Sequence, residues 1–228
     1  MHCFIAPCRG STVKKVNTVF LDLDGPLLDG NVRHFHCYRS ILEQAGFTPI
    51  DATTYWQLKR ETINRRELLA LSGAEALYDD FLVRWLEMIE SPQALELDTV
   101  QPGALECLRH WKQQGKRLVL VTLRKDAQAL QVQLDAAGLS AYLDKVLVCT
   151  HQSAGEGKAQ AVRDYLGGDL VANESVWIGD TEVDAQAAGE LGVDVFLVTN
   201  GLRSQQILER LGSGKIVDSI VSARDYIS

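Results

Sequence analysis

The chain has 228 residues, 46% hydrophobic, 7% aromatic and 23% charged, with a formal net charge of −7. That length carries one ordinary core plus an appended subdomain. The acidic balance excludes nucleic-acid backbone binding as the main activity, because neutralising phosphates needs a basic surface. A small anionic substrate stays open, since local cations or a metal reverse the field inside a cleft.

Taken in chain order, residues 1–15 (MHCFIAPCRGSTVKK) lack the apolar segment of a secretory signal and read as a loose extension. No apolar run approaches the roughly 20 residues that span a bilayer, so a cytoplasmic protein without a membrane partner is expected. The five cysteines (Cys3, Cys8, Cys37, Cys107, Cys149) show no metal-site spacing and read as free thiols in a reducing compartment. Residues 16–30 (VNTVFLDLDGPLLDG) then form an apolar strand that ends in acids around a Gly-Pro turn. Residues 31–100 contain no strand pattern but several helical ones, including a stripe of Leu77, Phe81, Trp85 and Met88 at helical spacing. Four further β-branched apolar runs follow, at 116–123, 144–149, 174–179 and 193–199, separated by helical patterns that close on glycine. Apolar runs without alternation mark strands buried on both faces. Alternation of strand and helix predicts an α/β fold: a doubly wound, Rossmann-like parallel sheet with a helical cap subdomain inserted after the first strand. The expected division is a core of 16–30 and 101–228, with a cap of 31–100.

In such sheets the ligand sits outside the carboxyl ends of the strands. Asp22 and Asp24 leave the first strand two residues apart, hence on one face. Thr122 ends the second strand, Asp180 follows the fourth with Asp184 four residues on, and Lys158 lies in the Gly-rich stretch SAGEGK at a helix start. Several hard oxygens with one ammonium suit Mg²⁺. The lysine and a helix N-terminus add a phosphoryl group to that expectation.

These residues also carry a resemblance. DLDGPLLD, LVLVTLR, Lys158 and GDTEVD, in that order, resemble the four motifs of the haloacid dehalogenase superfamily of phosphohydrolases, nearest its phosphoglycolate-phosphatase-like and β-phosphoglucomutase-like branches. The resemblance implies a phosphatase for a small phosphorylated metabolite, a phosphoric monoester hydrolase with Mg²⁺ as cofactor, working as monomer or homodimer. Asp22 would be the nucleophile that forms an aspartyl-phosphate, and Asp24 the acid/base. Thr122 and Lys158 would hold phosphoryl oxygens, and Asp22, Asp24 (through its carbonyl), Asp180 and Asp184 would hold the metal. Gly25, Leu123, Arg124, His34, Arg60 and Arg65 are the substrate-binding candidates. The basic run 59–66 (KRETINRR) could reach a second anionic group on the substrate. A phosphomutase, or a non-catalytic phosphometabolite-binding protein on the same fold, are the alternatives. Pro26 departs from the family's turn and removes one backbone N–H near the expected phosphate.

Overall fold

The structure, a computed structural model, describes residues 15–149 and 154–228. The expected extension, with Cys3 and Cys8, therefore falls outside the described residues except for Lys15, and so does the start of the Gly-rich stretch before Lys158. Strand β1 (Thr18–Leu21) is followed by the two-residue β2 (Leu28–Asp29). Helices α1 (Asn31–Gln44), α2 (Ala52–Arg60), α3 (Arg65–Ala70), α4 (Tyr78–Met88) and α5 (Pro92–Leu95) come next. The chain returns through β3 (Thr99–Val100), which pairs antiparallel with β2, so the segments leaving and re-entering the sheet are bonded to each other. Then follow α6 (Ala104–Gln113), β4 (Arg117–Thr122), α7 (Ala127–Ala136), β5 (Lys145–Val148) and α8 (Ala154–Leu166). The chain ends with β6 (Ser175–Gly179), α9 (Glu182–Leu191), β7 (Asp194–Val198), α10 (Gln205–Arg210), β8 (Lys215–Val217) and α11 (Ile220–Arg224).

Six strands form one parallel sheet in the order β5-β4-β1-β6-β7-β8. Five correspond to the apolar runs, and β8 adds an edge strand. Two apolar clusters cover the sheet, as strands buried on both faces require. Val19, Leu21, Leu120 and Ile178 pack with Leu108 and Trp111 of α6 on one side. On the other, Phe20, Val119, Val121 and Trp177 pack with residues of α8 and α9.

The helical insert has its own core, in which the Tyr38 and Tyr55 rings stack at 4.7 Å and Phe81 meets Trp85 at 5.6 Å. The stripe read from sequence points into it: Phe81 and Trp85 are buried, and Leu77 and Met88 flank them. Side-chain caps start three of the insert helices, with Asp51 accepting from Thr54 N–H at 3.0 Å, Asn64 from Arg66 N–H at 2.8 Å and Ser91 from Ala94 N–H at 3.3 Å. Among the described residues no helix is long and apolar enough to cross a membrane.

The central strands carry the sheet. Leu120 is fully buried and lies in register with Leu21 on one side and Val146 on the other. Leu120→Ala is expected to lower stability by about 2–5 kcal/mol, read from the urea midpoint at unchanged slope. A loss within error of zero would contradict the assigned core.

Candidate active site

Strand β1 sits between β4 and β6, so what leaves its carboxyl end meets what leaves theirs. Asp22 N–H donates to Ile178 C=O at 2.9 Å, which carries the ladder one residue past the strand and fixes the Asp22 side chain at the sheet edge. The chain then turns. Gly25 has φ +99°, and a Cβ there would lie 2.4 Å from Asp180 Cγ, so no other residue fits without moving Asp180. Gly25 N–H donates to Leu28 C=O, while Leu27 and Leu28 N–H donate to Leu23 C=O. The turn therefore closes without an N–H at residue 26, and Pro26 fits it at no cost in hydrogen bonds.

The floor of the site is a group of carboxylates around one ammonium. Ligand oxygens of Asp22, Asp180 and Asp184 lie within 4.8 Å of one another. Lys158 Nζ stands 2.9 Å from Asp22 Oδ1 and 2.8 Å from Asp184 Oδ1, with almost no exposure to solvent. Its helix begins at Ala154, so Lys158 projects from within α8 and does not open it as the sequence suggested. Asp184, fully buried, also accepts from Trp177 Nε1 at 3.2 Å and from Thr181 Oγ1 at 2.8 Å. It also accepts from Thr181 N–H at 3.2 Å, which makes it part of the cap of α9 as well as part of the acidic group. Asp180 accepts from Leu202 N–H, and a Cβ on Gly201 would lie 2.2 Å from its Oδ2. Glycines 25 and 201 thus leave the room that Asp180 occupies.

The electrostatics follow from three acids facing one base. Burial, reinforced by the charges of Asp184 and Asp24 and opposed by Lys158, pushes the Asp22 carboxyl up to about 7. Burial together with Asp22 and Asp184 holds Asp180 well above the usual carboxylate range. Burial alone would lower Lys158, but Asp184 and Asp22 outweigh it and raise the ammonium. The donor set is hard oxygen with surplus negative charge, which fits a divalent cation of the Mg²⁺ type.

Asp24 has a different environment. Arg124 donates to it through Nε at 2.9 Å and Nη2 at 2.8 Å, and Arg33 of α1 through Nη2 at 2.6 Å. Both guanidiniums also hold the buried Asp98, at 3.1 and 2.8 Å. Burial works against the charged form of Asp24, but Arg124 and then Arg33 outweigh it and lower its pKa.

A cleft of about 450 Å³ opens over this floor. Of the residues expected from sequence, Asp22, Asp24, Thr122, Leu123, Arg124, Lys158, Asp180, His34 and Arg65 line it. Asp184 lies behind the floor and Gly25 beside Asp180. Thr122, nearly fully buried, accepts at Oγ1 from Arg124 N–H at 3.4 Å. The His34 ring lies 6.0 Å from Trp56 and 5.6 Å from Trp85; burial, then Lys59 and Arg33, hold it well below the usual histidine range and so uncharged. Arg60 is the exception. Its guanidinium donates to Thr199 and Arg203 carbonyls of the sheet side, and it lies outside the cleft. Sequence reasoning missed Arg33, Asp98, Trp85 and Glu90. Arg33 had one signal, a basic residue in the first turn of a helix, where the dipole disfavours it.

A family model of the haloacid dehalogenase-like hydrolases matches residues 16–192. A plasmid-encoded phosphoglycolate phosphatase of Cupriavidus necator is 30% identical over 233 residues, covering 95% of this chain and 85% of that protein. The GMP/IMP nucleotidase YrfG of Escherichia coli is 32% identical over 198 residues, covering 81% and 84%. A haloacid dehalogenase-like family hydrolase of Streptococcus pneumoniae has the same fold, with TM-score 0.72 at 18% identity and coverage of 93% and 98%.

The raised Asp22 pKa has a consequence for stability in metal-free protein. Between pH 3.8 and about 7 the folded state keeps a proton that the unfolded state releases, so this contribution is present below 3.8 and is lost as pH rises to about 7. Asp22→Asn removes that loss. In the presence of a chelator the variant is expected to exceed the parent in stability near pH 8 by on the order of 2 kcal/mol, with the gap closing near pH 4. Urea denaturation at the two pH values reads it, and a variant less stable than the parent at the higher pH would contradict the charge balance.

Proposed function

From the membership of this chain in the haloacid dehalogenase-like hydrolases, as a phosphoric monoester hydrolase, we propose a Mg²⁺-dependent phosphatase that acts on a small phosphorylated metabolite through an aspartyl-phosphate on Asp22. One observation carries the reading: Asp22 faces the cleft with Lys158 at 2.9 Å, beside Asp180 and Asp184 and across from Thr122 at the next strand end.

In the first half-reaction an Asp22 carboxylate oxygen forms a bond to phosphorus as the bond to the leaving oxygen breaks. Asp24, which must first be released from Arg33 and Arg124 to carry a proton, delivers it to that oxygen, and the product leaves as an alcohol. In the second half-reaction Asp24 takes a proton from water, whose oxygen attacks phosphorus and returns Asp22 as a carboxylate with release of inorganic phosphate. Lys158 and the Thr122 hydroxyl hold the phosphoryl oxygens, and Lys158 screens the nucleophile from the anion it attacks. The Asp22 and Asp180 carboxylates and the Asp24 carbonyl, with Asp184 directly or through water, would hold Mg²⁺, which would supply positive charge to the phosphoryl oxygens. Residues 31–100 act as a cap over a core of 16–30 and 101–228, excluding bulk water when closed. Arg33, Lys59, Arg65 and Trp85 bring that insert to the cleft.

Purified protein with Mg²⁺ is expected to release phosphate from members of a phosphometabolite panel and to stop when chelator is added. Asp22→Asn is expected to lose at least about 10³-fold in turnover with the fold retained by circular dichroism. Full activity in that variant would overturn the mechanism. Conversion of a sugar phosphate to its isomer without phosphate release would instead identify a phosphomutase.

A further inference from the structure

The cations of the cleft divide by whether a carboxylate holds them. Lys158 is paired with Asp22 and Asp184, Arg33 and Arg124 with Asp24 and Asp98, and Arg203 with Glu182. Of the rest, Lys125 follows β4 and its backbone N–H donates to Glu90 at 2.8 Å, while Lys59 of α2 and Arg65 of α3 line the same cleft with no carboxylate partner among the described residues. Both lie instead over Trp85, Lys59 Nζ at 5.2 Å and the Arg65 guanidinium at 5.8 Å from the ring centroid. Burial, and then the charges of Arg65, Arg203 and Arg33, push the Lys59 ammonium down to about 7. A cation gathered among cations, facing a cleft, is relieved by giving up its proton or by an anion that arrives from outside, and an arriving anion holds it charged.

The transferring phosphoryl group does not need this pair: its cation is Lys158 of the floor, 2.9 Å from Asp22 Oδ1, whereas Lys59 and Arg65 belong to α2 and α3 of the insert. Nor does the roof suit a nucleobase. Trp85 is only 5% exposed, with His34 and Phe81 each 5.6 Å from its ring. Its surface is already covered, and a base has no open face to stack on.

We propose that Lys59 and Arg65 form a second-anion subsite, so that the substrate is a compact phosphomonoester carrying a further anionic group, carboxylate or phosphate, held under the roof while its transferring phosphoryl group lies on the floor. This assignment rests on the phosphatase reading above. It makes Lys59 and Arg65 specificity-determining residues and sets aside Arg60, whose guanidinium is already engaged by backbone carbonyls.

A matched set of probes tests it: 2-hydroxyethyl phosphate, with a neutral tail; phosphoglycolate, with a carboxylate in the same place; and ethane-1,2-diol bisphosphate, with a second phosphate. At least one anionic probe is expected to exceed the neutral one in kcat/KM by about tenfold or more, and which one does so identifies the group held. In Lys59→Met that ratio is expected to collapse toward unity, and in Lys59→Arg to be largely kept. Equal kcat/KM for all three probes in the parent would overturn the subsite, as would a preference for GMP over both anionic probes. A Lys59→Met variant slowed equally on all three would also overturn it, by placing Lys59 on the transferring group. If no probe, nor p-nitrophenyl phosphate, releases phosphate, the phosphatase reading itself fails, which is a different result from turnover without discrimination.

Discussion

Burying three carboxylates against one ammonium is the constraint around which this end of the molecule is arranged. Like charges this close are costly in a poorly solvated site, and the chain supplies each compensation it can. Lys158 touches two of the acids. Trp177 from the sheet and Thr181 from the start of α9 donate to Asp184, and Leu202 N–H donates to Asp180. Glycines at 25 and 201 keep the backbone close without displacing Asp180. The donors come from β6, α8, α9 and the loop after β7, so only a parallel sheet with β1 in its interior collects them at one edge. What is left uncompensated has the sign and hardness of a divalent cation's complement.

A second ionic group, beside the first, is built on the opposite principle. Asp24, Arg33, Asp98 and Arg124 form a closed ring of two acids and two bases, with Gln133 donating to Asp98 at 2.8 Å and Arg33 donating to Ile89 C=O at 3.1 Å. Such a ring is balanced in charge, and deleting one member of a buried pair such as Arg33–Asp98 typically costs about 3–5 kcal/mol. Its members come from three places: the sheet edge, the first turn of the insert, and the segment that returns from it. The ring therefore ties the insert to the acid/base candidate and fixes the direction of its carboxylate. One group is left charged for a ligand, whereas the other is balanced in charge and positions a side chain.

The features legible in sequence were the local ones. Apolar runs without alternation located β1, β4, β6 and β7, because strands buried on both faces have a composition that surface segments lack, and located the edge strand β5 although Lys145 and Val148 are exposed. Asp22, Asp24, Thr122, Lys158 and Asp180 were legible because each lies at or near a strand end or in a short motif, where a polar residue interrupts an apolar pattern. β8 escaped because three residues at a sheet edge carry too little periodicity to register. Helix α2 escaped although its start was written at Asp51, a residue whose side chain caps Thr54 N–H. Asp98 was beyond local reading altogether. It lies 65 residues from Arg33 and 26 from Arg124, and nothing at either end announces the pairing.

Lys59 and Arg60 show why pairing, and not the presence of charge, separates structural cations from those directed at ligands. They are adjacent on α2, so they leave the helix about 100° apart and cannot face the same surroundings. Arg60 meets the loop after β7, where the carbonyls of Thr199 and Arg203 both accept from its Nη2, and Ser204 N–H bonds back to Arg60 C=O at 3.1 Å. It pins the insert to the sheet. Lys59 turns instead toward Trp85 and a set of other cations. A guanidinium suits the first task because it keeps its charge when set against carbonyls, and a compact ammonium suits the second because it can shift toward whatever anion enters. From composition alone the two residues are interchangeable members of one basic run. Only the phase of the helix on which they sit gives one a structural role and leaves the other for a ligand.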